Sequence, residues 1–312
     1  MNKKQDSRAE NFANYRNFME KSQMPFNLDN LGVTPDNANK GAVLASLISM
    51  CYPKNESLFR YRRATDDNIQ ALENNHLWFS AADTFNDVYD SLCYINIEKL
   101  LNAVFKILPP HNLSYSKKIS ISKEYVQTFE NLGKTRKIVC LTEDITSNLM
   151  WAHYAEKGSG FAVEYKINAI TEFFMKSNFR SPIPYPVIYD DARYDITNDA
   201  IDWFRYSFNK DKGDKTAVNP IDGLISVKST IRKGLDWKYE KEWRIIDISD
   251  NFEHNVKHDK LSFISPSAVY IGYSTEKYHE EKICSICESK SIPVFKMTLD
   301  KSSGVKLNYE PL

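Results

Sequence analysis

The sequence predicts an α+β fold in which helices pack around a mixed central sheet. Three observations lead there. Short runs rich in aromatic and β-branched residues, such as LFRYR (58–62), LWFS (77–80), IVCLTE (138–143), GFAVEY (160–165) and WRIID (243–247), alternate with stretches of helical periodicity. Two further runs, AVYIG (268–272) and PVFKMT (293–298), flank a helical stretch at 275–290, and that spacing implies a parallel crossover. Hydrophobic residues at 42% and charged residues at 26% give the balance of a folded globular chain.

Taken in order, residues 1–57 read as a helical arm and linker, and 58–312 as a single main domain. In the arm, Phe12, Tyr15, Phe18 and Met19 recur at helical spacing and form one apolar stripe. Such a stripe packs on the main domain, on a partner or on a second copy. A polar connector runs from Asn27 to Lys40, and Gly41–Cys51 reads as a short buried helix ended by Pro53. Strand Leu58–Arg62 then leads to a helix capped by Thr65, and strand Leu77–Ser80 enters the polar loop Asp83–Asp90. Helices follow at Ile97–Leu108 and Lys123–Leu132, the second stopped by Gly133. Strand Ile138–Glu143, helix Ser147–Glu156 and strand Gly160–Tyr165 come next. The tyrosine- and aspartate-rich stretch 185–215 reads as irregular, with an insertion near 190–215. Pro220 suits the first turn of a helix reaching about Lys233, and strand Trp243–Asp247 precedes the crossover unit.

Lys+Arg and Asp+Glu are equal at 41 each, so no overall field draws in a polyanion and nucleic acid is not favoured as a partner. The 5 cysteines, Cys51, Cys93, Cys140, Cys284 and Cys287, are an odd number at irregular spacing, which suggests a reducing compartment. Cys284 and Cys287 make a lone CxxC in a helical stretch, and small helix-face residues are the better reading of them. The polar start MNKKQDSRAENF lacks the apolar core of a secretion signal, and the apolar run Gly41–Cys51 is too short to span a bilayer. A cytoplasmic protein without membrane contact is expected.

Four segments could carry chemistry. If YEKEWR is a strand throughout, Glu240, Glu242 and Arg244 share one face, with Lys241, Trp243 and Ile245 on the other. Paired carboxylates can hold a sugar hydroxyl or polarise a nucleophile; the plainer alternative is a solvated face with cross-strand ion pairs. In FRYRR, Arg60 and Arg62 share a face and can grip a diphosphate, or can instead pair with Glu240 and Glu242. In LWFSAADTFND, Asn86 and Asp87 suit a turn that their side chains fasten. In MWAHY, Met150, Trp151 and Tyr154 form one helical stripe with His153 at its edge, a pattern more often core than cofactor site. No metal is predicted, and neither a GxGxxG turn nor a Walker lysine loop is present.

In their order, LFRYRR, LWFSAADTFND, VCLTE, MWAHYAEKGSGFAVEY and WKYEKEWRII resemble an uncharacterised bacterial family catalogued as domain of unknown function 2971. The resemblance covers roughly Leu58 to Tyr273. It departs at Ala82, where proline is usual, at Thr142, where serine is usual, and at Gly158, where histidine is usual. The opening strand–helix–strand is also similar to that of ADP-ribosyltransferase domains, which implies an ADP-ribosyltransferase-like core and NAD as substrate. By that similarity Arg60 holds the ribose or diphosphate, Tyr154 or Trp151 stacks on nicotinamide, and Glu242 supports the nicotinamide ribose. Departure of nicotinamide leaves an oxocarbenium-like centre that a carboxylate stabilises in a dry pocket.

The leading expectation is an NAD-using transferase or NAD-cleaving enzyme, acting on a nucleotide and an unidentified acceptor, of the bacterial stress or phage-defence kind. A metal-dependent nuclease built on Asp87, Asp236 and Lys238 is one alternative. A non-enzymatic sensor or binding protein, with the same residues as a structural polar network, is the other.

Overall fold

The computed structural model describes residues 3–24, 35–108, 114–130, 132–134, 136–176, 183–213, 216, 219–220, 222–247, 258–300 and 305–312. In chain order come α1 (Lys3–Lys21), α2 (Pro35–Met50), β1 (Ser57–Arg62), α3 (Asp66–Glu73), β2 (His76–Ala81), α4 (Ile97–Ile107), α5 (Tyr115–Glu130), β3 (Lys137–Thr142), α6 (Asn148–Tyr154), β4 (Phe161–Lys166) and α7 (Ile167–Lys176). They are followed by β5 (Tyr185–Pro186), β6 (Ile188–Tyr189), α8 (Thr197–Asp211), α9 (Ile225–Thr230), β7 (Arg232–Lys233), β8 (Glu242–Asp247), β9 (His258–Ser262), β10 (Ala268–Ile271), α10 (Lys277–Ser289), β11 (Val294–Leu299) and β12 (Leu307–Pro311). The mixed sheet with helices packed around it is the expected fold class. No helix of the described residues is long and apolar enough to cross a membrane.

The chain forms two compact units, each made of three stretches. The first comprises Met1–Cys51, Ala81–Arg136 and Ile188–Leu235; the second comprises Tyr52–Ser80, Lys137–Val187 and Asp236–Leu312. This partition differs from an arm plus one domain: residues 1–51 group with two later stretches rather than standing apart.

In the first unit the stripe of α1 is used at home. Tyr15 and Met19 are buried, as are Leu44 and Ile48 of α2. The C-terminal carbonyls of α2 are taken by α1 side chains: Arg8 donates to Cys51 O at 2.8 Å and Asn11 to Met50 O at 2.9 Å. The connector expected at 27–40 lies partly outside the described residues; from Pro35 onward it is helical, proline being well suited to a first helical turn. A second apolar cluster gathers Leu100, Val104, Phe129, Ala200, Phe204 and Ile225.

Two expectations are corrected here. Residues 185–213 are not irregular throughout: they carry β5, β6 and α8, with Ala200 and Phe204 one turn apart on a buried face of the helix, and 214–215 lie outside the described residues. The helix expected from Pro220 to Lys233 is only Ile225–Thr230. Asp222 accepts from Leu224 N at 3.0 Å and pairs with buried Lys228, which holds a turn ahead of the helix. After the helix, Arg232–Lys233 run parallel to Ile188–Tyr189.

The second unit holds the main sheet, ordered β12-β11-β10-β4-β1-β3-β2-β9, with β8 added to β3 and β5 to β8. As the crossover spacing implies, β10 and β11 are parallel. One face is covered by α6, where Trp151 is fully buried against Tyr61 at a ring separation of 5.0 Å and donates to Ile145 O at 2.7 Å. On β8, Trp243 is also buried and packs on Tyr52 at 5.7 Å. Glu164 of β4 accepts from Ser57 at 2.6 Å, Lys166 at 2.7 Å and Tyr270 at 3.0 Å. Burial alone would raise its carboxyl, but those donors outweigh burial and hold it below the usual carboxylate range.

Truncating Trp151 or Trp243 to alanine is expected to cost about 3–5 kcal/mol in urea unfolding, because each empties a site that cannot collapse. A depressed carboxyl contributes stability that is present above its unfolded pKa and is lost as pH falls through the folded value. Glu164→Gln should therefore flatten the acid limb of the stability–pH curve between those two values and leave its alkaline side unchanged.

Candidate functional site

The second unit contains an open cavity of about 380 Å³ lined by residues of β1, α3, β2, α6 and β9. Its location follows from how β3 meets β1. The two strands are in register through a single pair, Phe59 with Thr142, whereas β4 pairs with β1 along its whole length. Beyond that pair the sheet opens, and Arg60 donates through Nη1 to the carbonyl of Cys140. The guanidinium thus satisfies a backbone acceptor that a continuing ladder would have used.

Arg60 and Arg62 both line this cavity. Arg60 is half-buried and Arg62 is buried. Arg62 donates to Asn68 Oδ1 at 3.3 Å and reaches the Tyr165 hydroxyl. Burial, opposed by Tyr165 and reinforced by Arg60, lowers its pKa to about 10, so it remains cationic at neutral pH. Among the described residues neither arginine has a carboxylate partner. Against Arg60, Arg62 and Arg63 the lining holds one acid, Asp67.

Tyr154 lines the cavity from α6. Ser147 caps that helix by accepting from Met150 N at 3.3 Å, and Trp151 anchors it in the core. Tyr154, three residues further on, donates its hydroxyl to Glu240 Oε1 at 2.5 Å. Burial and the charge of Glu240 push the phenol far above its ordinary value, so it stays a proton donor in that bond.

The remaining sequence-predicted residues are arranged differently. Glu240 is not on β8; it ends a 3-10 turn, Leu235–Glu240, and Lys241 after it takes a positive φ of 46° that breaks the strand alternation. Glu240 is buried, and its carbonyl accepts from Thr142 Oγ1 at 2.6 Å. Glu242 is on β8 but is held by Arg244 of the same strand, with Nε to Oε1 at 2.8 Å and a second bond to Oε2 at 3.1 Å. Both are buried, so Glu242 pairs with Arg244 rather than with either arginine of β1. Directly paired residues share a sheet face, and Phe59, Thr142 and Glu242 are paired in series. Glu242 therefore belongs to the face opposite Arg60 and Arg62, and it does not line the cavity. Trp151, with no exposed surface, serves the core rather than a ligand.

Outside this site, Asp87 fastens its loop by accepting from Tyr89 N at 2.9 Å, and Asn86 beside it is exposed. Cys287 is buried on α10, with burial pushing its thiol up to about 12. No group of three His, Cys, Asp or Glu side chains suited to a metal ion occurs among the described residues. Lining residues not singled out from sequence include Trp78, Ser80 and His258, along with Asp67 and Asn68 of α3. The alternation of LWFS, with Leu77 and Phe79 inward, was the available signal for the first two.

Tyr154, the GSGF turn and EKEWR all fall within one stretch that matches a known family. Residues 150–245 match the family described as Protein of unknown function (DUF2971). The match takes in MWAHY and YEKEWR of the four segments that resemble this family, while FRYRR and LWFSAADTFND lie outside it. No curated protein and no solved structure matches the chain. The likeness to ADP-ribosyltransferases finds no support in these comparisons. The departure at Gly158 has a physical reason: its φ is +85°, and a Cβ there would fall 2.2 Å from the ring of Tyr273.

Removing one partner of the buried Glu242–Arg244 pair leaves an uncompensated charge. Glu242→Ala is expected to lower stability in chemical denaturation by about 3–5 kcal/mol. The double variant Glu242→Leu/Arg244→Met should recover most of that loss.

Proposed function

We propose that the second unit binds a nucleotide diphosphate in the Arg60–Arg62 cavity and uses NAD as its substrate, either cleaving it or transferring its ADP-ribose. The observation that carries this reading is the pair of arginines without acidic partners in the wall of an open cavity. Guanidinium groups suit phosphate oxygens through planar, paired donors, and a volume of about 380 Å³ lies within the range of small-molecule sites. The cavity is locally cationic although the whole chain is neutral.

Of the two carboxylates, Glu240 is hydrogen-bonded to the cavity-lining Tyr154, whereas Glu242 acts on that phenol through its charge alone. In the proposed reaction the glycosidic C–N bond breaks with its electron pair passing to the nicotinamide nitrogen. Water or an acceptor then forms the new bond to the ribose carbon and gives up a proton. The negative charge of Glu240, conveyed through the Tyr154 hydroxyl, favours the positive charge that develops on the ribose.

A second reading, binding without turnover, is favoured by one observation: both oxygens of Glu242 are committed to Arg244. Incubation with NAD, alone and with candidate acceptors, separates the two by nicotinamide release. Arg60→Ala should weaken NAD binding about 10- to 100-fold, the scale of a lost charge-assisted hydrogen bond. Glu240→Gln should slow release at saturating NAD while leaving ADP-ribose affinity near that of the wild type. Tight NAD binding with no release under any condition would leave the binding reading alone.

A further inference from the structure

We infer that Trp78 is a base-stacking residue, so that the cavity takes an aromatic nucleotide rather than a free phosphate or diphosphate. This rests on the proposal that Arg60 and Arg62 hold the phosphates.

The argument begins with where a tryptophan sits. Along β2 burial alternates: Leu77 and Phe79 have no exposed surface, while Trp78 and Ser80 are half-buried on the other face. The core takes its share of this strand through Leu77 and Phe79, and packing does not call for the largest side chain on the wet face. The antiparallel partner β9 sets Lys260 opposite Trp78 and His258 opposite Ser80. Paired residues share a face, so these four side chains form one surface, from which Trp78, Ser80 and His258 line the cavity. The ammonium of Lys260 lies 4.4 Å from the centroid of the Trp78 ring, a cation–π contact that restricts the ring's orientation. His258 Nδ1 and Ser80 Oγ are 3.0 Å apart, about 7 Å along the strand from Trp78 by the strand repeat.

The cavity therefore offers cationic donors on β1, a held indole on β2, and a hydroxyl–imidazole pair next to the indole. Phosphate, planar base and ribose present matching chemistry in a single ligand. Pyrophosphate has no ring to lay on the indole, and a ribose phosphate offers it no aromatic face.

The test is a set of calorimetric titrations of the full chain with pyrophosphate, ribose 5-phosphate, ADP and NAD. It compares wild type, Trp78→Ala, Trp78→Phe and Arg60→Ala, with circular dichroism and urea unfolding confirming the fold of each. Trp78→Ala should weaken ADP and NAD by roughly 5- to 150-fold, the loss of one base stack, and leave pyrophosphate unchanged. Trp78→Phe should restore most of the nucleotide affinity, and Arg60→Ala should weaken all phosphate ligands together. Nucleotide binding that depends on Arg60 but is indifferent to Trp78 would overturn the stacking role and leave the arginine site standing. A wild-type protein that binds none of the four would overturn both.

Discussion

The bond from Arg60 to the carbonyl of Cys140 occupies the place where the β1–β3 ladder would otherwise continue, and the arrangement around the cavity follows from it. A sheet that parts between two neighbouring strands leaves backbone groups that need partners. Here one acceptor is satisfied by a guanidinium, so the opening is lined by charge instead of by bare backbone. The same side chain also lines the cavity. Position 60 thus serves the sheet edge and the cavity wall at once.

The buried pair of Glu242 and Arg244 imposes a second constraint, on β8. A strand buried at every position cannot solvate a lone charge, so the two residues must be present together or absent together. Their geometry, two apart on one face, makes the pair internal to the strand. That leaves Arg60 and Arg62 without an acidic partner from β8, and Glu240, outside the strand, makes the contact with Tyr154.

Much of the fold can be read from the chain. Strands such as FAVEYK and EWRIID carry aromatic and branched residues in short runs, and the flanks of α3 and α6 carry Thr65 and Ser147 as caps. What escaped reading has identifiable causes. α7 begins at Ile167 directly after Lys166 ends β4, with no turn residue to mark the change. β9, HDKLS, has little apolar content and depends on pairing with β2 for its existence. Because β9 was invisible, so was the wall it completes with Trp78. The candidate site was legible as far as Arg60, Arg62 and Tyr154. The phase of YEKEWR misled because Lys241 adopts a left-handed backbone, which alternation alone cannot foresee.

The turn after α6 places Gly158 beneath the ring of Tyr273, whose hydroxyl in turn donates to Lys157 O at 3.0 Å. One volume is shared by two positions more than a hundred residues apart. A side chain at 158 is compatible with this arrangement only where the ring of Tyr273 swings aside and the turn relaxes from its positive φ. A substitution at 158 therefore reaches across the chain, releasing the Tyr273 hydroxyl from the Lys157 carbonyl as well as straining its own turn.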